Sequence, residues 1–152
     1  GVKLSGGQRQ RIAIARVLLK DALMPRVIVE DFPAKPDDYD FEGYSAAALV
    51  IYEGSTFGAE GLRGEQGTSE ELRLSIIVLV RSLRGNDGAY GLLRDVREAL
   101  HGVSLAGATG LRPVSIKLDG VREGVFQYQL DFAGRLPALP AKTAGVLVPR
   151  YR

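Results

Sequence analysis

The chain has no cysteine and no tryptophan, and only one histidine (His101) and one methionine (Met24). Without cysteine there is no disulfide framework, no thiolate metal site and no thiol nucleophile. With one imidazole, a metal centre would rest almost wholly on carboxylates, and a serine-type triad would have a single possible base. Long apolar runs are also missing: the longest, such as residues 75–80, fall far short of a bilayer span. The first residues lack the order of charge, apolar stretch and small-residue cleavage site that marks a secretory leader, so a cytoplasmic product is expected. Nor is there an excess of one charge. Twenty basic and 18 acidic residues leave a net +2, which gives no bulk reason to bind DNA or an anionic membrane. What remains is 152 residues, 45% hydrophobic and 25% charged, enough for one soluble domain with one sizeable core.

The most conspicuous motif is at the start, LSGGQRQRIAIARVLLKD, residues 4–21. It resembles the signature motif of ABC-transporter ATPases, in which Ser and Gly backbone groups at a helix N-terminus face the γ-phosphate of ATP. Orphan N–H groups and the helix dipole make that physically sound. The other parts of such an ATPase are not found. No GxxxxGK[ST] loop occurs in the sequence, and only three residues precede the motif. The apolar strand downstream ends Glu30-Asp31, the reverse of the expected order, and Phe32-Pro33 follows. The plainer reading is an amphipathic helix over residues 6–23. Ser5 is its N-cap, and Ile12, Ala15, Leu19 and Ala22 form its apolar stripe, widened by Leu18 and Leu23. Arg9, Arg16 and Lys20 stay in water, and Arg11 snorkels.

Pro25 ends that helix, and residues 26–29 (RVIV) read as a short strand. PAKPDDYDFEGY is a polar loop. Residues 45–53 (SAAALVIYE) form a buried strand, and residues 54–69 a Gly-rich loop or long β-arm able to reach a neighbouring subunit. In residues 70–82, Leu72, Leu74, Ile76, Val78 and Val80 recur with period two on one face. Ile77 and Leu79 make the other face apolar too, so this strand is central or has a face covered by another subunit. A turn over residues 84–88, with Asn86 or Asp87 as cap, leads into a helix over 89–101. Its inward residues are Leu92, Leu93, Val96, Ala99 and Leu100, and Gly102 is its C′ residue. Residues 111–118 place Val114, Ile116 and Leu118 on one strand face, Asp119-Gly120 marks a turn, and residues 125–133 alternate as a half-solvated strand. The order α-β-β-β-α-β-β predicts an α+β domain over residues 1–134, a mostly antiparallel sheet with two helices packed on it. Residues 135–152 hold three prolines and four cations without an acid, and are expected to be an extended tail that orders by docking.

The succession VIVEDFP, ALVIYEGSTFG, GTSEELRLSIIVLVRSLRGNDGAYGLLRDVREALHG and LRPVSIKLDGVREGVFQYQLDFAGRLPAL resembles the family of Mu-like phage proteins assigned as tail terminators. It runs from about Ile12 to Leu139, and the LSGGQRQ start is not part of the pattern. The resemblance implies a virion protein without chemistry: a homohexameric ring on the last ring of tail tube that stops polymerisation and joins the head-side connector. Its implied partners are other copies of itself, the tail tube protein, a head–tail connector or neck protein and, as a further candidate, the tail sheath. Membrane is not implied, and contact with nucleic acid is left open. The implied location is the tail of the virion, with assembly in the host cytoplasm. The alternatives are an ABC-type ATPase fragment and another tail-completion or neck protein.

No catalytic, cofactor or metal residues are expected. His101 at a helix end reads as a surface residue compatible with the dipole. Asp37, Asp38, Asp40 and Glu42 lack a calcium-loop pattern and read as a solvated loop. Phe126, Tyr128 and Phe132 read as core, not as a base-stacking platform. A ring needs two different contact faces on each subunit. The candidates for subunit or tube contact are Phe57, Leu62 and Arg63 on the Gly-rich arm, Ile77 and Leu79 on the two-sided strand, and Arg135, Lys142, Val146, Val148, Arg150 and Arg152 in the tail.

Overall fold

The computed structural model describes residues 4–59 and 68–138. Two helices pack on one face of a five-stranded sheet of order β1-β2-β3-β5-β4, an α+β fold with the element order expected from the sequence. The strands are β1 (Val27–Asp31), β2 (Ala46–Ala59), β3 (Thr68–Val80), β4 (Thr109–Arg122) and β5 (Val125–Ala138); the helices are α1 (Gly6–Leu23) and α2 (Ala89–Leu100). β1 runs parallel to β2 and every other pairing is antiparallel.

Helix α1 starts in a reciprocal cap. Ser5 Oγ accepts from the Gln8 amide at 3.1 Å, and Gln8 Oε1 accepts from the Ser5 amide at 2.8 Å, satisfying two groups that a helix start leaves open. Its buried face is Ile12, Ala15, Leu19 and Leu23, whereas Ala22 of the expected stripe is exposed. A full turn after Leu19, position 23 points back to the core more closely than position 22. The Arg11 guanidinium donates to the Ala106 carbonyl at 3.3 Å. Helix α2 buries Ala89, Leu92, Leu93, Val96 and Leu100. Both helices close over Leu72, Leu74, Ile76, Val78 and Val80 of β3, with Leu130 and Phe132 of β5, in one continuous core.

Three boundaries differ from expectation. Helix α2 is capped by Gly88, with no side-chain cap, instead of Asn86 or Asp87. A Cβ at Gly88 would lie 2.5 Å from the Arg84 carbonyl, so the chain passes too close there for any other residue. Asp87 instead pairs with Arg26. The β4–β5 turn is Glu123-Gly124, not Asp119-Gly120. Both turn residues have positive φ (52° and 78°), and Arg122 pairs with Val125, the geometry of a tight two-residue hairpin. Asp119-Gly120 lies inside β4 beside a register shift between Leu118 and Gly120. Finally, β5 extends past residue 134 as far as Ala138, which pairs with Thr68, while β2 and β3 extend into the Gly-rich stretch in keeping with its β-arm reading. Residues 135–138 therefore belong to the sheet.

The second face of the sheet is divided. Near the β4–β5 turn it is covered by the segment between β1 and β2, which includes a short 3-10 turn at Pro36–Asp38. Phe41 packs there with Ala47, Leu49 and Ile77, flanked by Phe32, Tyr39, Leu79 and Val125, and the Arg81 guanidinium lies 4.0 Å from the Phe41 ring centroid. Towards the other end that face is polar. Ser75, fully buried, donates to Asp131 at 2.6 Å; Ser115 and Gln129 donate to the same carboxylate at 2.9 and 2.7 Å.

Candidate assembly surface

The described residues contain no group of three or more His, Cys, Asp or Glu able to hold a metal ion. His101 caps α2, its amide donating to the Arg97 carbonyl at 2.9 Å. The acidic loop is used internally: Asp40 accepts from the Glu42 amide at 2.9 Å, and Asp37 lies 3.6 Å from Arg122. The two carboxylates at the position of an ATPase metal site are also structural. Glu30 accepts from the Tyr39 hydroxyl at 2.7 Å, and Asp31 pairs with Arg16 at 3.0 Å. Burial first, then the bond to Glu30 and that residue's charge, push the Tyr39 hydroxyl well above its ordinary range. That phenol stays a donor throughout the physiological range.

Among the described residues eight large apolar side chains are exposed: Val17, Met24 and Tyr90 on or at the end of the helices, and the other five on the edge strands. β4 is the outer strand at one side of the sheet, and from Arg112 to Arg122 it is exposed apart from Pro113. Val114, Ile116, Leu118 and Val121 are 43, 43, 51 and 56% exposed. Ile116, Leu118 and Val121 pair with Leu130, Tyr128 and Phe126, so their row lies on the helix-bearing face, beyond the cover of the helices. Tyr90 of α2, 51% exposed, stands beside this row. Burial, and then the neighbouring Tyr90 hydroxyl, raise the Tyr128 hydroxyl's ionisation range. On the polar face, Arg112 holds Glu71 at 3.1 Å and keeps that carboxyl below its ordinary range.

At the opposite side, β1 covers β2 only as far as Val50. From Ile51 to Ala59 that edge of β2 has no strand partner among the described residues. Phe57, 66% exposed, lies here on the helix-bearing face, in line with Tyr52 and Ser55, whose hydroxyls are 2.5 Å apart.

The candidates from sequence divide accordingly. Phe57 is exposed at an open edge. Ile77, 5% exposed, is covered by Phe41 of its own chain, and Leu79 is partly covered beside it. The apolar second face of β3 is thus closed by the loop after β1, which removes Ile77 from the available surface. Arg135 lies in β5 and is exposed. Leu62, Arg63, Lys142, Val146, Val148, Arg150 and Arg152 lie outside the described residues. The apolar row of β4 was not among the candidates. Its period-two pattern is visible in the sequence, but reading it as surface requires knowing that β4 is an edge strand.

Among curated proteins, an ATP-dependent lipid A-core flippase of Albidiferax ferrireducens is 46% identical over 56 residues, 37% of this chain and 9% of that protein. A flippase of Legionella pneumophila is 53% identical over 49 residues, 32% of this chain and 8% of that protein. An uncharacterized ABC transporter ATP-binding protein of Haemophilus influenzae is 96% identical over 22 residues, 14% of this chain and 4% of that protein. The chain therefore spans less than a tenth of the length of these relatives. Among solved structures, a chain in the virion of a native gene transfer agent particle matches with a TM-score of 0.53 at 19% identity, covering 86% of this chain and 91% of that one. That likeness is one of fold. The Gp37 protein family model matches residues 14–149, from within α1 to close to the C-terminus, and the chain belongs to that family.

Proposed function

We propose that this protein is a structural component of a phage or phage-like virion and acts there as a tail terminator. It caps the tail tube as a ring, stops tube polymerisation and joins the tail to the head-side connector. The observation that carries this reading is Gp37 family membership over residues 14–149, joined to a fold shared with a chain of a gene transfer agent virion. The surface agrees with it: apolar side chains are displayed along strand edges, while Glu30, Asp31 and Asp131 are held in contacts within the chain. Ring partners are other copies of this chain, six in the reading favoured by the family resemblance. The tube protein and a connector protein meet the two ends of the ring, and the basic segment after Ala138 is proposed to dock on one of them. No enzymatic step is needed for any of this.

The ATPase reading rests on the short matches to flippases. Against it, the helix bearing LSGGQ spends its apolar face on this domain's core, and Glu30 and Asp31 are tied to Tyr39 and Arg16. The test is removal of the chain from a particle-producing system. A terminator leaves tubes of uncontrolled length and heads without joined tails when absent. Normal tails in its absence would reject the role, and complete loss of tubes would point to a tube or initiator protein instead.

A further inference from the structure

A ring of identical subunits needs two different surfaces that fit each other, and among the described residues the sheet has two open edges of different make-up. Resting on the ring reading above, we propose that β4 of one copy pairs antiparallel along the uncovered half of β2 of the next, so that the sheets of successive subunits join edge to edge.

The strand directions allow it. β2 and β5 run one way and β3 and β4 the other, so a second sheet placed beside β4 in the same orientation meets it with an antiparallel β2. The faces also agree. On the helix-bearing side, Ile116 and Leu118 of one copy would lie beside Tyr52 and Phe57 of the next, covering side chains now 43, 51 and 66% exposed at Ile116, Leu118 and Phe57. Charge is complementary. The uncovered half of β2 carries one acid, Glu53, and no Lys or Arg, and on the same face of the sheet β4 carries Lys117; Arg112 and Arg122 of β4 are set against Glu71 and Asp37 of their own chain. The same charges disfavour the symmetric alternative. Two β4 strands paired about Lys117 would set Arg112 against Arg122 and Lys117 against itself, and like charges directly opposite destabilise a strand pair.

The edges are also shaped against indiscriminate pairing. Pro113 and the register shifts near Pro113 and Leu118 break β4 into short regular runs, of which Ser115–Leu118 is the longest and Gly120–Arg122 the next. The shift between Tyr52 and Gly54 starts the regular run on β2. A bulged, charged edge resists general strand addition and accepts only a partner with the matching offset. Because β1 blocks the first half of β2, β4 must engage the second half, which staggers each subunit on the next; a sheet that closes on itself requires such a stagger.

The chain has no native cysteine, so introduced thiols report cleanly. Thr56, opposite Glu71, and Lys117, opposite Gln129, are exposed on the same face of the sheet at the two edges. A T56C/K117C chain treated with a short bismaleimide should give a ladder of covalent dimers, trimers and higher species on a denaturing gel. Mixing the two single variants should give dimers only, and each single variant alone should stay monomeric. Dimers from K117C alone would replace this pairing with the symmetric one. An oligomer by native mass measurement without a ladder would overturn the edge pairing and leave the ring standing. A chain monomeric at every concentration and never cross-linked would remove both.

Discussion

Gly88 shows how a single position can be fixed by approach distance. Its φ is an ordinary −87°, yet an added Cβ would meet the Arg84 backbone at 2.5 Å. Gly88→Ala should destabilise the domain by about 1–3 kcal/mol, as forced overpacking does, read as a lower urea midpoint at unchanged slope. An unchanged midpoint would mean the turn has room to relax. Asp131 is a second such position. Burial opposes its charge, but bonds from Ser75, Gln129 and Ser115 and the charge of Lys117 outweigh that, and its pKa falls below the ordinary 3.8. A carboxyl with a depressed folded-state pKa stabilises the fold above the unfolded value and loses that contribution as pH falls through the folded value. Asp131→Ala should therefore cost about 1–3 kcal/mol at neutral pH, much of it from the Ser75 hydroxyl left buried without its acceptor. The gap from the parent should narrow below the ordinary carboxylate range; a gap independent of pH would assign the effect to packing. Neither role was legible in the sequence. Asn86 and Asp87 are the better caps by residue type, and Asp119-Gly120 the stronger turn signal. Tertiary approach at Gly88 and a register shift inside β4 overrode both.

At the scale of elements, periodicity carried most of the information. The period-two row of β3 and the helical stripes of α1 and α2 identified the core face; those residues form it, except that Ala22 is exposed and Leu18 and Ala99 are only partly buried. The element ends were harder to read, because glycines that signal a loop in sequence are tolerated where strands already pair, as at Gly54 and Gly58 of β2. The second apolar face of β3 was legible as apolar, but not its cover. Phe41 sits in a stretch dominated by Asp, Pro and Gly, and nothing local marks it as core. The same logic separates buried from displayed rows. Ile76→Ala, in the fully buried row, should lower stability by about 2–5 kcal/mol. Leu118→Asp, in the displayed row, should stay within about 0.5 kcal/mol of the parent and act on self-association instead. Melting curves and native mass measured on both variants check this; a large melting loss for Leu118→Asp would place that row in the fold's own core.

For the whole molecule, the motif easiest to recognise is spent on the fold. LSGGQRQRIAIARVLLKD forms most of helix α1 with its cap, and its buried stripe, Ile12, Ala15 and Leu19, is core. The purified chain should show no magnesium-dependent ATP hydrolysis and no tight ATP binding by titration calorimetry. Turnover abolished by Ser5→Arg would overturn that expectation. The proposed assembly role is legible only through resemblance, because such a role leaves no catalytic spelling, and the surface proposed for it becomes visible only once the edge strands are known. The most direct test of the proposed role is therefore positional. Particles carrying an epitope-tagged copy of this chain should be imaged by electron microscopy with an antibody label. The expected result is a single ring of label at the head-proximal end of each tail tube. Label along the whole tube, at the distal tip, or absent from finished particles would contradict the terminator role.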